Sequence, residues 1–500
     1  MLILAGCEPD VTDPSNSGDN TTTDKDTTQV FTQGMNIAWE GSYATVSGEI
    51  DGVSVTSNEN GYVVITSTAK AVKYNLSGNG TGQFKLYSDY KYEMHLNGLT
   101  LTCNDGSAIN SQCKKKGYIV LTNTNELKDG SSYADSGDED QKAALYSEGQ
   151  LIFSGTGSLT VTGNYKHALA SDDYIQITAG TIDLKANVSD GLHTNDGITI
   201  DGGNITINAA GEGLQCDSGT IAISGGTLAI NSVDKGILSQ NGAITISGGD
   251  IQVTTTGSEG KGIKAVGDLT ISGGQTIVLC KGSTSSNVSA WGPGGGGHGD
   301  GGNPGGGSSG PEGIESKAAI TISGGEVYAY SPDDAINAGG DLKITGGYVC
   351  AHSTGNDGID SNGDCYIDGG IVYAISAGSP EVGIDANSEE RKQLYVTGGT
   401  LVAIGGLESG SSLSQTCYSV SSWSKSTWYA LYKNGEPVLA FKTPASGGTT
   451  MVVSTGGTTT MKSGVTASGT SIFNATGYAK PTVTGGNDVS LSKYSGSSRW

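Results

Sequence analysis

A pair of glycines recurs along the middle of this chain, each time closing a short run in which aliphatic and small residues alternate. Ile198–Gly203 reads Ile-Thr-Ile-Asp-Gly-Gly, Ile221–Gly226 reads Ile-Ala-Ile-Ser-Gly-Gly and Ile244–Gly249 reads Ile-Thr-Ile-Ser-Gly-Gly. The second glycines fall at Gly203, Gly226, Gly249, Gly274, Gly325, Gly347, Gly370 and Gly399, mostly about 23 residues apart. One step of 51 is read as two coils plus an insertion. Period-two alternation means strands rather than helices, and a fixed period of this length means a solenoid. Between the pairs sits a second marker, a small residue and then an aliphatic one, as in Gly191-Leu192, Gly236-Ile237, Ala335-Ile336 and Gly383-Ile384. Each coil therefore holds three short strands. The Leu/Asn pattern of leucine-rich repeats is missing, and the period is too long for a nine-residue calcium β-roll. The expected fold is all-β, a right-handed parallel β-helix of about 11 coils with a small β domain capping its C-terminal end.

The alternation assigns faces. Ile198, Ile200, Ile205 and Ile207 point inward. On the marker strands an inward stack of small residues is expected at Thr194, Cys216, Ser239, Ala265, Ser316, Ala338, Ser361 and Ala386. The 82 glycines show no collagen period, so they are assigned to turns. A hydrophobic content of 35% suits a solenoid, which needs only a narrow apolar stripe per coil.

The rest of the chain is organised around this repeat. Residues 1–7 end in Leu4-Ala5-Gly6-Cys7, a lipobox-like sequence that points to lipidation at Cys7. A signal peptide needs a basic stretch and a longer apolar run before that cysteine, so a shortened start is expected. Residues 8–29 are acidic, Ser/Thr-rich and aperiodic, as a disordered tether would be. Residues 30–90 read as an N-terminal cap, 91–406 as the β-helix with a Gly-rich insertion at 282–310, and 407–500 as the C-terminal β domain. Asn434-Gly435 marks a hairpin turn in that last region. The expected location is the outer membrane, at the cell surface or in the periplasm, with the membrane touched only through the lipid. Of eight cysteines, Cys216 falls in the inward stack and reads as a buried thiol, and Cys103 and Cys113 are left open as a possible pair.

A net charge of −23 disfavours nucleic acid as a partner and suits a host for divalent cations. The outward positions of the marker strands read His193, Gln215, Leu238, Lys264, Glu315, Asn337, Asp360 and Asp385, and next to them Asn362 and Asn387. Just before the marker come Asp190, Glu212, Lys235, Lys261, Glu312, Asp334 and Asp357, with Asp333 beside them. Stacked carboxylates on rungs about 4.8 Å apart repel one another, and Ca²⁺ relieves that by taking six to eight oxygens. The candidate metal set is Asp190, Glu312, Glu315, Asp333, Asp334, Asn337, Asp357, Asp360, Asn362, Asp385 and Asn387. The competing reading is that these are turn and solvation residues.

A second outward row carries Tyr328, Tyr330, Tyr348, His352 and Tyr373. Two readings stand side by side for it. The rings could stack on sugars, or they could be buried under the C-terminal domain. Lys261, Lys264 and Lys317 are the bases a Ca²⁺-dependent lyase could use, although surface lysines usually only solvate.

The repeated Ile-Thr-Ile-Ser-Gly-Gly runs (as at Ile320–Gly325), Asp333–Ala338, Asp357–Asn362, the Gly-rich stretch after Trp291 and Phe441–Pro444 together resemble a known family. It comprises secreted bacterial parallel β-helix proteins described as carbohydrate-binding-domain-containing, with a member that binds cellulose and pectic acid and holds calcium. The resemblance covers roughly residues 36 to 460. It implies calcium in the Asp-rich turns, carried over here to Asp333, Asp334, Asn337, Asp357, Asp360 and Asn362, and polysaccharide binding without demonstrated cleavage. Coils 212–266 depart from the motif, with Lys235 and Lys261 where Asp is expected. The resulting expectation is a calcium-binding, non-catalytic, monomeric surface lipoprotein that binds polysaccharide, with acidic glycans as one class of ligand. A Ca²⁺-dependent pectate-type lyase and an adhesin or structural stalk are the alternatives.

Overall fold

The computed structural model describes residues 30–57, 59–283 and 310–496. Cys7, the tether at 8–29 and nearly all of the Gly-rich insertion lie outside the described residues. The chain divides into two compact units, Met1–Val30 and Phe31–Trp500, and the following concerns the second.

Three stacks of strands run through this unit. On the marker face, a 13-stranded sheet carries Tyr62–Ser67, Gln83–Ser88, Ile109–Ser111 and Ala143–Ser147 and continues to Ile336–Ala338 and Ile359–Ser361. Its strands are parallel apart from Val53–Ser57, which forms a hairpin with Tyr62–Ser67. Isolated bridges carry the stack on through Ile384 to Leu407. The coils thus outnumber the expected 11, because Tyr62–Ser67 and Gln83–Ser88 stack as rungs without a Gly-pair signature. The step of 51 is corrected as well. Leu269–Ile271 pairs directly with Ile320–Ile322, so it holds one coil plus the insertion.

The second face is built from the strands before the Gly pairs and the third from those after them. On the second face Ile198, Ile221, Ile244, Leu269, Ile320, Leu342, Cys365 and Leu394 are in direct register. All of them are fully buried. On the marker face the inward stack from Thr194 to Ser361 is likewise continuous in register and buried.

Glycine serves two places in the central coils, although the marker accepts alanine at Ala335. Gly226, at the corner between the second and third faces, has φ of 80°, where a Cβ would sit 2.8 Å from the Gly202 carbonyl carbon. At the marker, a Cβ on Gly236 would lie 2.1 Å from Val253 Cγ1, so the marker turn presses onto the third face.

Both ends are closed. Gln33–Gly41 pairs with Val72–Thr81 and folds back on Tyr43–Ser47, and Met451–Ser454 runs antiparallel along Thr400–Ile404. Trp428–Lys433, Glu436–Lys442, Thr459–Ile472 and Gly477–Asp488 form a closed antiparallel barrel. Asn434 and Gly435, both at positive φ, make its first hairpin turn. The barrel docks sideways against the third face, through a cluster that joins Tyr328, Cys350 and Tyr373 to Tyr429, Phe441 and Phe473. The seven cysteines among the described residues, Cys103 and Cys113 included, are free buried thiols. No helix among the described residues is long and apolar enough to cross a membrane.

Candidate functional site

Two ladders of outward side chains run along the marker face. The first passes through His167, Asp190, Glu212, Lys235, Lys261, Glu312, Asp334 and Asp357, with backbone hydrogen bonds tying each rung to the next. The second passes through Ala170, His193, Gln215, Leu238, Lys264, Glu315, Asn337 and Asp360, and then reaches Asp385 and Glu408 through the bridged rungs. Composition changes along the axis. Histidine with carboxylates comes first, lysine with glutamate in the middle, and carboxylates with amides last.

The middle segment is self-neutralising. Lys261 Nζ lies 2.7 Å from Glu312 Oε2 and 3.2 Å from Glu315 Oε2, and Lys264 Nζ is also 3.2 Å from Glu315 Oε2. Lys317 pairs with the other Glu315 oxygen. Burial opposes the Glu315 charge, but the three lysines outweigh it and hold that carboxyl at about 2. Glu312 and Glu315 were expected in the calcium set. Both lie against lysines, yet burial outweighs Lys261 at Glu312 and pushes that carboxyl up to about 7.

The last segment has no such partner. Asp334 is 3% exposed and Asp357 is 8% exposed. Asp334 Oδ1 accepts from the Asp357 amide at 3.0 Å, and its Oδ2 accepts from Asn337 Nδ2 at 3.1 Å. Asp357 Oδ1 accepts from the Val382 amide at 2.6 Å, and Asp333 Oδ1 accepts from Asn356 Nδ2 at 2.9 Å. Among the described residues no lysine, arginine or histidine forms an ion pair with Asp334, Asp357, Asp360, Asp385 or Glu408. The protonation behaviour follows. Burial, then the charges of Asp360, Asp333 and Asp357, push Asp334 well above the usual carboxylate range. Burial, with Glu381 and Asp360 near, pushes Asp357 up to about 8. Burial raises Asp360 to about 6, with Asp333 and Glu381 adding to it, and burial, then the adjoining Glu408 carboxyl, raises Asp385 to about 10. These oxygens need protons or a cation to coexist.

The remaining expected ligands are scattered. Asn387 spends its side-chain oxygen capping the short turn Ser388–Glu390, accepting from the Glu390 amide at 3.2 Å. Asn362 leans on the Ala338 carbonyl at 3.4 Å. Asp190 lies many rungs away, between His167 and His193. The sequence reading missed Glu408, which comes after the repeat has ended, and Glu381, which sits in an irregular turn.

The tyrosine row resolves mostly toward burial. Tyr373 is 1% exposed, its hydroxyl donates to the Lys442 carbonyl at 3.1 Å, and its ring lies 5.1 Å from Phe441. Tyr328 is buried in the same cluster. Tyr330 packs edge-on against His352 at 5.1 Å, and burial pushes that imidazole down to about 4. Tyr328 and Tyr373 thus lie in the barrel interface, with Tyr330 packed against the same cluster. Tyr348 packs against the same cluster, and with Glu326 and the Gly-pair corners of several coils it lines a groove of about 630 Å³ beneath the barrel strand that ends at Ile472.

A different aromatic pair faces outward. Tyr366 and Tyr395, in register on the second face, stack at 4.9 Å with 6° between ring planes, and Lys343 lies over Tyr366 at 5.8 Å. They sit on the coils of Asp360 and Asp385, one corner further along the chain. Their shared position in Cys365-Tyr366-Ile367 and Leu394-Tyr395-Val396 was visible in the repeat.

The model of the family described as carbohydrate-binding domain-containing protein matches residues 57–358. No curated protein matches the chain. Among solved structures, a polysaccharide lyase-like protein from C. thermocellum, in a gadolinium derivative, is 24% identical, with 50% of this chain and 95% of that chain covered and a TM-score of 0.37.

Proposed function

The chain belongs to the carbohydrate-binding domain-containing protein family, and from that premise we propose that it binds polysaccharide without cleaving it, through calcium held at the acidic end of the marker face. The observation that carries this reading is the run of carboxylates at Asp334, Asp357, Asp360 and Asp385, the first two buried and the last two half-buried, all raised in pKa and lacking basic partners among the described residues, with the half-buried Glu408 next in line. Hard carboxylate and amide oxygens with no imidazole or thiolate fit Ca²⁺. Asp334, Asp357, Asp360 and Asp385 would hold the ion, with Asn337 and Glu408 beside them. Calcium lets an acidic protein recruit an acidic glycan, because carboxylates of both partners share its charge. Tyr366 and Tyr395 add aromatic surface on the same coils. The lysines that a lyase would use as a base are engaged with Glu312 and Glu315, which favours binding over proton abstraction. A lipid on Cys7 would hold the protein at the cell surface.

Affinity electrophoresis through gels containing pectate tests the reading. Retardation in calcium that disappears with chelator, and in Asp334→Asn and Asp360→Asn, is the expected result. Equal mobility with and without calcium would remove the calcium-bridged reading. Unsaturated products from pectate, followed by ultraviolet absorbance, would replace it with a lyase. Silence toward acidic and neutral polysaccharides alike would leave a structural stalk.

A further inference from the structure

The far end of the same ladders carries a site of different chemistry. His167 Nδ1 and His193 Nδ1 each lie 3.0 Å from one oxygen, Asp190 Oδ2. Ligand atoms of the three residues all fall within 4.8 Å of one another, and all three residues are buried. The β-helix fixes this arrangement. Asp190 occupies the rung next to His167, as the hydrogen bond from the Ala168 amide to the Asp190 carbonyl at 3.1 Å shows. His193 follows Asp190 by three residues on the same coil. Rung spacing stacks the two imidazoles at 4.4 Å with 25° between planes.

Hydrogen bonding within the cluster does not balance. Asp190 Oδ1 is already used, accepting from the Glu212 amide at 3.1 Å and the Ser189 hydroxyl at 3.2 Å. The other oxygen therefore meets two ring nitrogens at once. His193 also has Asp217 Oδ2 at 3.4 Å from its Nε2. A neutral His193 that donates there turns the lone pair of Nδ1 toward the Asp190 carboxylate, acceptor against acceptor. His167 Nδ1 lies within reach of the Asp190 amide at 3.4 Å, and its Nε2 is buried with no hydrogen-bond partner. With both Nδ1 atoms protonated the two rings donate to Asp190 Oδ2, but the lone pair of His193 Nε2 then faces Asp217 Oδ2; a metal ion at the Nδ1 atoms frees the Nε2–H of His193 for Asp217 and satisfies both carboxylates.

We propose that His167, Asp190 and His193 bind a divalent first-row transition metal of the zinc class, with Asp217 positioning His193. Two imidazoles and one carboxylate form a donor set for zinc rather than for calcium. Metal–ligand bonds of about 2.0–2.1 Å place tetrahedral ligand atoms about 3.3 Å apart; each histidine nitrogen here lies 3.0 Å from the carboxylate oxygen, and the whole set lies within 4.8 Å. A carboxylate on the far nitrogen of a ligating histidine sets its tautomer and orientation. Asp217 is 38% exposed, so the His193 edge offers the ion a way in. This site stands apart from the calcium reading and does not depend on it.

The test uses the full chain, stripped by chelation and then held in excess calcium so that the acidic end is saturated. Isothermal titration with Zn²⁺ should show one site per chain, lost in His193→Ala and His167→Ala. Asp217→Asn should weaken it about 10- to 100-fold. Co²⁺ in place of Zn²⁺ should give the visible absorption of nitrogen- and oxygen-ligated cobalt in the wild-type protein, a readout that does not depend on how the variants fold. Zinc binding unchanged in both histidine variants would overturn the assignment. So would an absence of zinc and cobalt binding in the wild type, which would leave a proton as the occupant.

Discussion

Replacing Asp357 by Asn separates the two ways in which charge at the acidic end can be balanced, by a proton or by a cation. Asp357 is 8% exposed, and burial together with Glu381 and Asp360 raises its pKa from 3.8 to about 8. The folded chain therefore keeps a proton that the unfolded chain loses, so without metal stability falls as pH rises from about 4 through about 8. Each unit is worth about 1.4 kcal/mol, so at pH 7 the upper bound is about 4 kcal/mol; relaxation of the neighbours makes about 2 kcal/mol the working figure. Asn keeps the oxygen that accepts from the Val382 amide at 2.6 Å and removes the charge. In chelator at pH 7 the variant should be the more stable protein by about 2 kcal/mol, and the difference should vanish near pH 4. In calcium the order should reverse. The wild type gains about 2.7 kcal/mol at a hundredfold excess over Kd, whereas the variant has lost a ligand. Urea denaturation followed by circular dichroism, with and without calcium, reads both. Equal calcium stabilisation of the two proteins, or a variant less stable than wild type in chelator, would refute the reasoning.

Lys261→Met should cost about 3–5 kcal/mol in urea unfolding, because it leaves the buried Glu312 without the ammonium 2.7 Å away. Tyr373→Ala should cost about 3–5 kcal/mol and expose the barrel to limited proteolysis, yet leave polysaccharide affinity unchanged, since the ring lies under Phe441. Gly226→Ala should cost on the order of 1–3 kcal/mol in thermal unfolding through its φ of 80° alone.

The coil architecture was legible because each coil repeats the same constraint. A stack such as Thr194, Cys216, Ser239 and Ala265 survives only if every rung keeps a small inward residue, so the register can be read off the period. The first coils escaped because Tyr62–Ser67 and Gln83–Ser88 turn their corners without the Gly pair. Alternation tells inward from outward, but it does not tell what covers an outward side chain. That is why Tyr373 read equally well as a sugar platform and as an interface residue, and why Glu312 and Glu315 read as calcium ligands. Lys261 and Lys264 stand on the neighbouring rung, and contacts between rungs leave no mark in a single-coil pattern. The same blindness hid the meeting of His167 with His193, which are separated by a full coil in sequence and stacked in space.

The central claim is that the carboxylates from Asp334 to Asp385 form a cation site. A crystal structure from calcium-containing solution, with an anomalous difference map recorded where calcium scatters strongly, tests it most directly. The account predicts a peak in contact with oxygens of Asp334, Asp357, Asp360 or Asp385. An empty map there, with the carboxyl groups hydrogen-bonded to one another through protons, would contradict it.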